Sequence, residues 1–119
     1  MKEKYILKYF LNAKHYVFFN GEKSIIHPHN WQLELNIILN NNEILSYQLI
    51  DGYIEDILEQ FDGKVLNDHS QFMGKEATTE ELGRVLWKII SEKLKSMECY
   101  LEILKISENA SRTFAIERE

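Results

Sequence analysis

Apolar and polar residues alternate with a period of two along Tyr5, Leu7, Tyr9, Leu11, Ala13, His15 and Val17, which predicts a long strand over 5–17 whose apolar face carries His15. Asn20-Gly21 marks a turn. Alternation resumes over 25–39, where His27, His29, Trp31, Leu33, Leu35, Ile37 and Leu39 share one face and Gln32, Glu34 and Asn36 the other. The cluster Asn40-Asn41-Asn42-Glu43 predicts a second turn. The period then changes. Tyr47, Ile50, Ile54, Ile57, Leu58 and Phe61 recur at spacings of three and four, an amphipathic helix that carries Gly52 at a cost near 1 kcal/mol relative to alanine. Residues 62–77, with Gly63 and Gly74, read as a loop. Thr78, followed three residues later by Glu81, makes a capping box worth about 1 kcal/mol. Leu82, Val85, Leu86, Ile89, Ile90 and Leu94 form the buried stripe of the helix that follows. A third strand is expected over 99–108 and a short fourth over 112–117.

The order β-β-α-α-β-β predicts an α+β domain: a four-stranded antiparallel sheet with two helices on one face, the simplest arrangement that buries both helical stripes. At 119 residues the chain reads as one domain, 1–119, burying about two thirds of its surface on folding. So small a sheet has exposed edges, which pairing with another subunit would cover. The single cysteine, Cys99, falls in an apolar strand and reads as a buried thiol in a reducing compartment. A net charge of −5, with lysines and glutamates interleaved, leaves no basic stripe and argues against a nucleic-acid partner. No apolar run approaches the roughly 18 residues of a membrane span, and Lys2, Glu3, Lys4 and Lys8 break the first segment. The expectation is a cytoplasmic protein without a membrane partner.

Candidate chemistry concentrates at His27-Pro28-His29-Asn30-Trp31. In an extended chain the side chains at i and i+2 point to the same face, so His27 and His29 project together. Pairing of the first two strands would bring His15 to them, and three neutral imidazoles with one open position commonly hold a catalytic zinc. Pro28 fixes φ and removes a ladder donor, which suits an edge or bulge. As spacing alone the pattern is loose, and four histidines in a chain of this size are unremarkable.

Taken together, these segments resemble the family of 6-pyruvoyl-tetrahydropterin synthase and bacterial 6-carboxy-tetrahydropterin synthase over nearly the whole chain. Phe10-Leu11-Asn12-Ala13-Lys14-His15 is similar to the family's F-x-A-A-H, and His27-Pro28-His29-Asn30-Trp31 to its H-G-H-x-Y zinc motif. From Ser46-Tyr47 to Phe61-Asp62-Gly63-Lys64-Val65-Leu66-Asn67 the chain aligns without a gap onto the stretch from D-F to L-D-H-x-x-L-N. Ala77-Thr78-Thr79-Glu80-Glu81-Leu82 resembles P-T-x-E-N-L, and Ile106-Ser107-Glu108-Asn109 the strand whose glutamate anchors the pterin. The resemblance implies a tunnelling fold (T-fold) assembled edge to edge into trimers that stack as hexamers. It further implies zinc on His15, His27 and His29, and a pterin held by Glu108 with Thr78 or Thr79. A buried carboxylate suits that role because it accepts two parallel hydrogen bonds from a pterin edge. The implied activity is that of a zinc-dependent lyase on 7,8-dihydroneopterin triphosphate.

The proton-transfer positions depart from the pattern. Lys23 stands where the family has its cysteine, four residues before His27, and Gly63 where L-D-H has its histidine, leaving Asp62 as the retained member of the trio. Ser46 replaces the aspartate of D-F and Pro28 the glycine of H-G-H. A thiol of pKa about 8.5 is roughly three per cent ionised at pH 7, whereas a lysine of pKa about 10.4 is deprotonated in about one molecule in 2,500. Lys23 would therefore need its pKa lowered by about three units to act as a base. Glu22 is the other candidate base, since some members of the family carry a glutamate near the missing cysteine. His69 enters through an alternative alignment in which Asp68-His69 becomes the family's D-H. The alternative to catalysis is a pterin-binding or structural homologue without turnover.

Overall fold

The computed structural model describes residues 1–40 and 44–119. Its elements in chain order are β1 (Tyr5–His15), β2 (Phe18–Phe19), β3 (Glu22–Lys23), β4 (His27–Leu39), α1 (Tyr47–Glu59), α2 (Thr79–Lys95), β5 (Cys99–Asn109) and β6 (Arg112–Glu117). The four long strands form one antiparallel sheet in the order β1-β4-β5-β6, and α2 packs across β5 and β6. The α+β sheet with two helices is therefore the one expected from the alternation. Of the turn expected at 40–43, all but Asn40 lies outside the described residues.

Two of the expected strands are shorter than their alternation. β1 stops at His15 and β4 begins at His27, because β2 and β3 pair as a separate two-stranded ribbon. Its turn is Asn20-Gly21, with φ of 51° and 78°, the left-handed pair that a two-residue hairpin requires. The ribbon closes at its base, where Ser24 N–H donates to Val17 O at 2.8 Å.

Along β4 the odd-numbered residues Trp31, Leu33, Leu35 and Ile37 have no exposed surface. The register against β5 shifts between Asn36 and Ile37, which face Ile103 and Leu101 and leave Glu102 as an extra residue. Two polar residues beside the bulge are buried, and one of them is the extra residue itself. Asn36 is buried, and so is Glu102, whose carboxylate pairs with Lys2 and Lys4. The hydrogen bond from Lys2 holds that carboxyl below the usual range.

Helix α1 begins at Ser46, whose Oγ accepts from Leu49 N–H at 3.3 Å. Serine is among the residues that cap a helix well. The helix ends at Glu59, so Phe61 belongs to the following turn, where it is fully buried. Residues 62–77 are more ordered than a plain loop, with two single 3₁₀ turns that each insert one apolar side chain, Leu66 and Phe72, into the core. This segment also runs along the outer edge of β1. Gly63 N–H donates to Asn12 O at 2.6 Å and Lys14 N–H to Lys64 O at 2.8 Å.

At α2 half of the capping box forms. Thr78 Oγ1 accepts from Glu81 N–H at 3.1 Å, while the Glu81 carboxylate turns to Lys75 at 3.3 Å and Arg84 at 3.0 Å. Cys99 is buried, as its strand context predicts, and burial pushes its thiol pKa up.

Close packing of α2 on the sheet runs through Gly83, where an added Cβ would lie 3.1 Å from Phe114 and 3.2 Å from Ile106. Gly52 in α1 has open space around it. Gly83→Val should therefore cost about 1–3 kcal/mol through overpacking, whereas Gly52→Ala should stabilise by about 0.5–1 kcal/mol. Urea midpoints of the two variants check the pair, which should move in opposite directions.

Candidate metal centre

In the ladder of β1 and β4, Leu11 lies opposite Trp31, Ala13 opposite His29 and His15 opposite His27. All of these side chains fall on the helix-covered face, and small Ala13 leaves room for the ring across from it. Pro28 sits opposite Lys14, whose own N–H is turned away from β4 to Lys64. The missing N–H of Pro28 thus points to the free side of β4, since the pairing with β5 starts at Gln32.

The register brings three imidazoles together. Ring centroids are 4.4 Å apart for His15 and His27, and 4.9 Å for each other pair. One ligand atom from each residue lies within 4.8 Å of the others. Two of the tautomers follow from the surroundings. His15 Nδ1–H donates to Ala77 O at 2.7 Å and His27 Nδ1–H to Ile25 O at 2.9 Å, and carbonyls only accept. In the neutral ring each Nε2 then carries the lone pair, the arrangement in which a backbone carbonyl orients a metal-ligating histidine.

His15 is 3% exposed, and its Nε2 is buried with no hydrogen-bond partner among the described residues. Burial also lowers its pKa, keeping the ring neutral. A buried acceptor without a partner, aimed at two other imidazoles, fits a metal ion as its missing partner.

Beside the triad lies a polar chain. Trp31 Nε1–H donates to Thr79 Oγ1 at 3.0 Å, and Thr79 Oγ1–H donates to Glu108 Oε2 at 3.2 Å. The same carboxylate oxygen is 4.0 Å from His29 Nε2. Thr79 and Glu108 are thus brought to the histidines, whereas the Thr78 hydroxyl is engaged as the cap of α2.

The other candidates lie on the outer segments. Glu22 and Lys23 are exposed on β3, with Lys23 Nζ 4.1 Å from the centroid of the Tyr16 ring. Asp62 Oδ1 accepts from Asn12 N–H at 3.3 Å. His69 packs on Phe61 at 4.5 Å and its Nδ1 accepts from Gln71 N–H at 3.1 Å, so its contacts are with its own loop.

Sequence reasoning missed three supporting groups. They are the Ala77 carbonyl, the Trp31 indole and Asn67, whose amide accepts from Tyr16 N–H at 3.0 Å and donates to Tyr16 O at 2.9 Å. Trp31 and Thr79 stand 48 positions apart, and no spacing in the sequence would reveal their bond.

A helix-backed antiparallel sheet with a histidine triad at one end defines an α+β domain with a candidate metal site. The chain belongs to the 6-pyruvoyl tetrahydropterin synthase family, whose sequence profile matches residues 5–119. No curated protein matches by sequence. Among solved structures, the 6-pyruvoyl tetrahydropterin synthase of Caenorhabditis elegans superposes with a TM-score of 0.78 at 12% identity, over 98% of this chain and 96% of that one. A Plasmodium vivax 6-pyruvoyltetrahydropterin synthase, in a variant with a catalytic glutamate changed to alanine, gives 0.63 at 14% identity, over 98% and 99%. An uncharacterized protein from Wolinella succinogenes gives 0.68 at 8% identity, over 99% and 100%. At these identities the structures share the fold.

The lowered pKa of His15 has a consequence for stability without metal. Below the unfolded value of about 6.5 the unfolded chain takes up a proton that the folded chain does not, so stability is full above that pH and declines as pH falls. With chelator present, the urea midpoint should drop between pH 7 and pH 5, and His15→Ala should flatten that slope.

Proposed function

We propose that this chain is a zinc-dependent lyase of the pterin synthase type, acting on 7,8-dihydroneopterin triphosphate or a close pterin. The observation that carries the reading is the shared neighbourhood of triad and anchor, with Glu108 Oε2 4.0 Å from His29 Nε2. His15, His27 and His29 would hold the zinc, which when bound supplies Lewis acidity that polarises a side-chain oxygen of the substrate and acidifies the adjacent C–H or O–H. Glu108 accepts hydrogen bonds from the pterin edge, and Thr79 holds that carboxylate in place. The pterin side chain is then directed toward the histidines.

Proton transfer falls to the ribbon that connects the two histidine-bearing strands. Glu22 and Lys23 both lie on β3, five and four residues before His27. A glutamate is a catalytic residue in the Plasmodium vivax enzyme, which supports Glu22 as the base here. Asp62 and His69 are the remaining candidates, from the loop beside β1. β1 and β6 are the two edges of the sheet; the 62–77 segment covers β1 at Asn12 and Lys14, and pairing between copies along the rest of these edges, into trimers or hexamers, would cover them.

A second reading is a pterin-binding protein without turnover. It is favoured by Gly63 at the position of the family's catalytic histidine and by the exposure of Lys23.

Zinc-loaded protein incubated with 7,8-dihydroneopterin triphosphate should release triphosphate above a His15→Ala control, as followed by chromatography. Glu22→Ala should lower the rate by at least about tenfold while zinc content stays the same, the low end of what a positioned acid or base contributes. Intact pterin after hours of incubation would favour the binding protein. Unchanged rates in both Glu22→Ala and Lys23→Ala would remove β3 from the mechanism.

A further inference from the structure

Trp31 has no exposed surface, and its ring lies against two of the three histidines, with centroids 5.1 Å from His15 and 5.2 Å from His29. Its one polar atom points elsewhere, to Thr79 Oγ1 at 3.0 Å. The direction of that bond is fixed, because an indole N–H can only donate. Thr79 must therefore accept at this contact, and its single proton remains for its other partner, Glu108 Oε2 at 3.2 Å. Thr79 is itself buried, which limits the alternatives open to its hydroxyl.

The geometry points to Trp31 as a positioning residue for substrate, which acts through Thr79 to hold the Glu108 carboxylate oriented as an acceptor. This rests on the reading of Glu108 as the pterin anchor. Were position 31 a ring without a donor, the Thr79 proton could swing between Glu108 and other acceptors, and the carboxylate would lose its fixed partner. With the indole in place, one oxygen of Glu108 is committed to Thr79. The rest of the carboxylate presents only lone pairs, which match a ligand edge of adjacent N–H donors and penalise an acceptor placed there.

Neopterin binding to zinc-loaded protein, measured by calorimetry, tests the link in a double-mutant cycle. Trp31→Phe keeps an aromatic ring and removes the donor. It should weaken binding by about tenfold, the loss of roughly one hydrogen bond, with zinc content unchanged. Thr79→Val should weaken it at least as much, and Trp31→Phe should then add nothing in the Thr79→Val background. Wild-type affinity in Trp31→Phe, or effects of the two changes that multiply, would overturn the inference. Should Trp31→Phe not fold, Thr79→Val alone decides, and unchanged affinity there overturns it as well. Glu108→Gln separates this from the parent reading: if that variant binds neopterin like wild type, the anchor assignment itself fails, whatever Trp31 does.

Discussion

Because β1 and β4 run antiparallel with Leu11 opposite Trp31, His15 has to fall opposite His27 and Ala13 opposite His29. A slip of one residue would send the His15 ring to the outer face of the sheet and dissolve the triad. Nothing polar is needed to prevent the slip. Trp31, Leu33, Leu35 and Ile37 are fully buried on the same face as the histidines, so shifting β4 would expose four large apolar side chains, each worth about 1.5–3 kcal/mol on burial. The hydrophobic core thus sets the geometry of the polar site. On the other side, Lys14 and Asn12 are bonded to Lys64 and Gly63, which fastens the loop to the same stretch of β1.

The site runs against the usual rule for a core. Among the described residues His15 Nε2 is buried without a partner, a loss of about 1–3 kcal/mol for a group of this kind. Its cost is tolerated because the surrounding sheet is well determined, and such local conflicts concentrate where a protein does chemistry. Two backbone carbonyls, those of Ala77 and Ile25, hold the rings in one tautomer. The first lies directly before Thr78, so the start of α2 orients a triad histidine with one residue, caps the helix with the next and supports Glu108 with Thr79.

How much of this was legible depended on whether a feature obeys a period. Strands β1 and β4, both helices and the shared face of the three histidines follow from alternation and from three-and-four spacing. The β2–β3 ribbon did not, since two-residue strands are too short to show any period. Glu102 was hidden for a related reason: the bulge changes which face a residue of β5 occupies without changing its neighbours in sequence. The bonds of Ala77, Asn67 and Trp31 to the site cross 48 to 62 positions of chain, and no local pattern encodes them. Motif resemblance supplied Glu108 and the two threonines, which spacing alone would have left as a strand end and a helix cap.

The division between core-borne and loop-borne residues bears on how this chain diverged. The triad, Thr79 and Glu108 sit on β1, β4, α2 and β5, whose packing fixes their places. Lys23 and Gly63, which depart from the proton-transfer pattern that the resemblance implies, both lie on connections. Lys23 is in the ribbon, and Gly63 follows α1 with φ of 73°. At that φ a side chain is strained by about 1–2 kcal/mol, so the loop around Gly63 has adapted to glycine and would resist a histidine. Its N–H also bonds Asn12 O at 2.6 Å, tying this conformation to the edge of β1. The connections can therefore change in sequence without disturbing the register, while the register and the helix packing fix the places of the three histidines, Thr79 and Glu108.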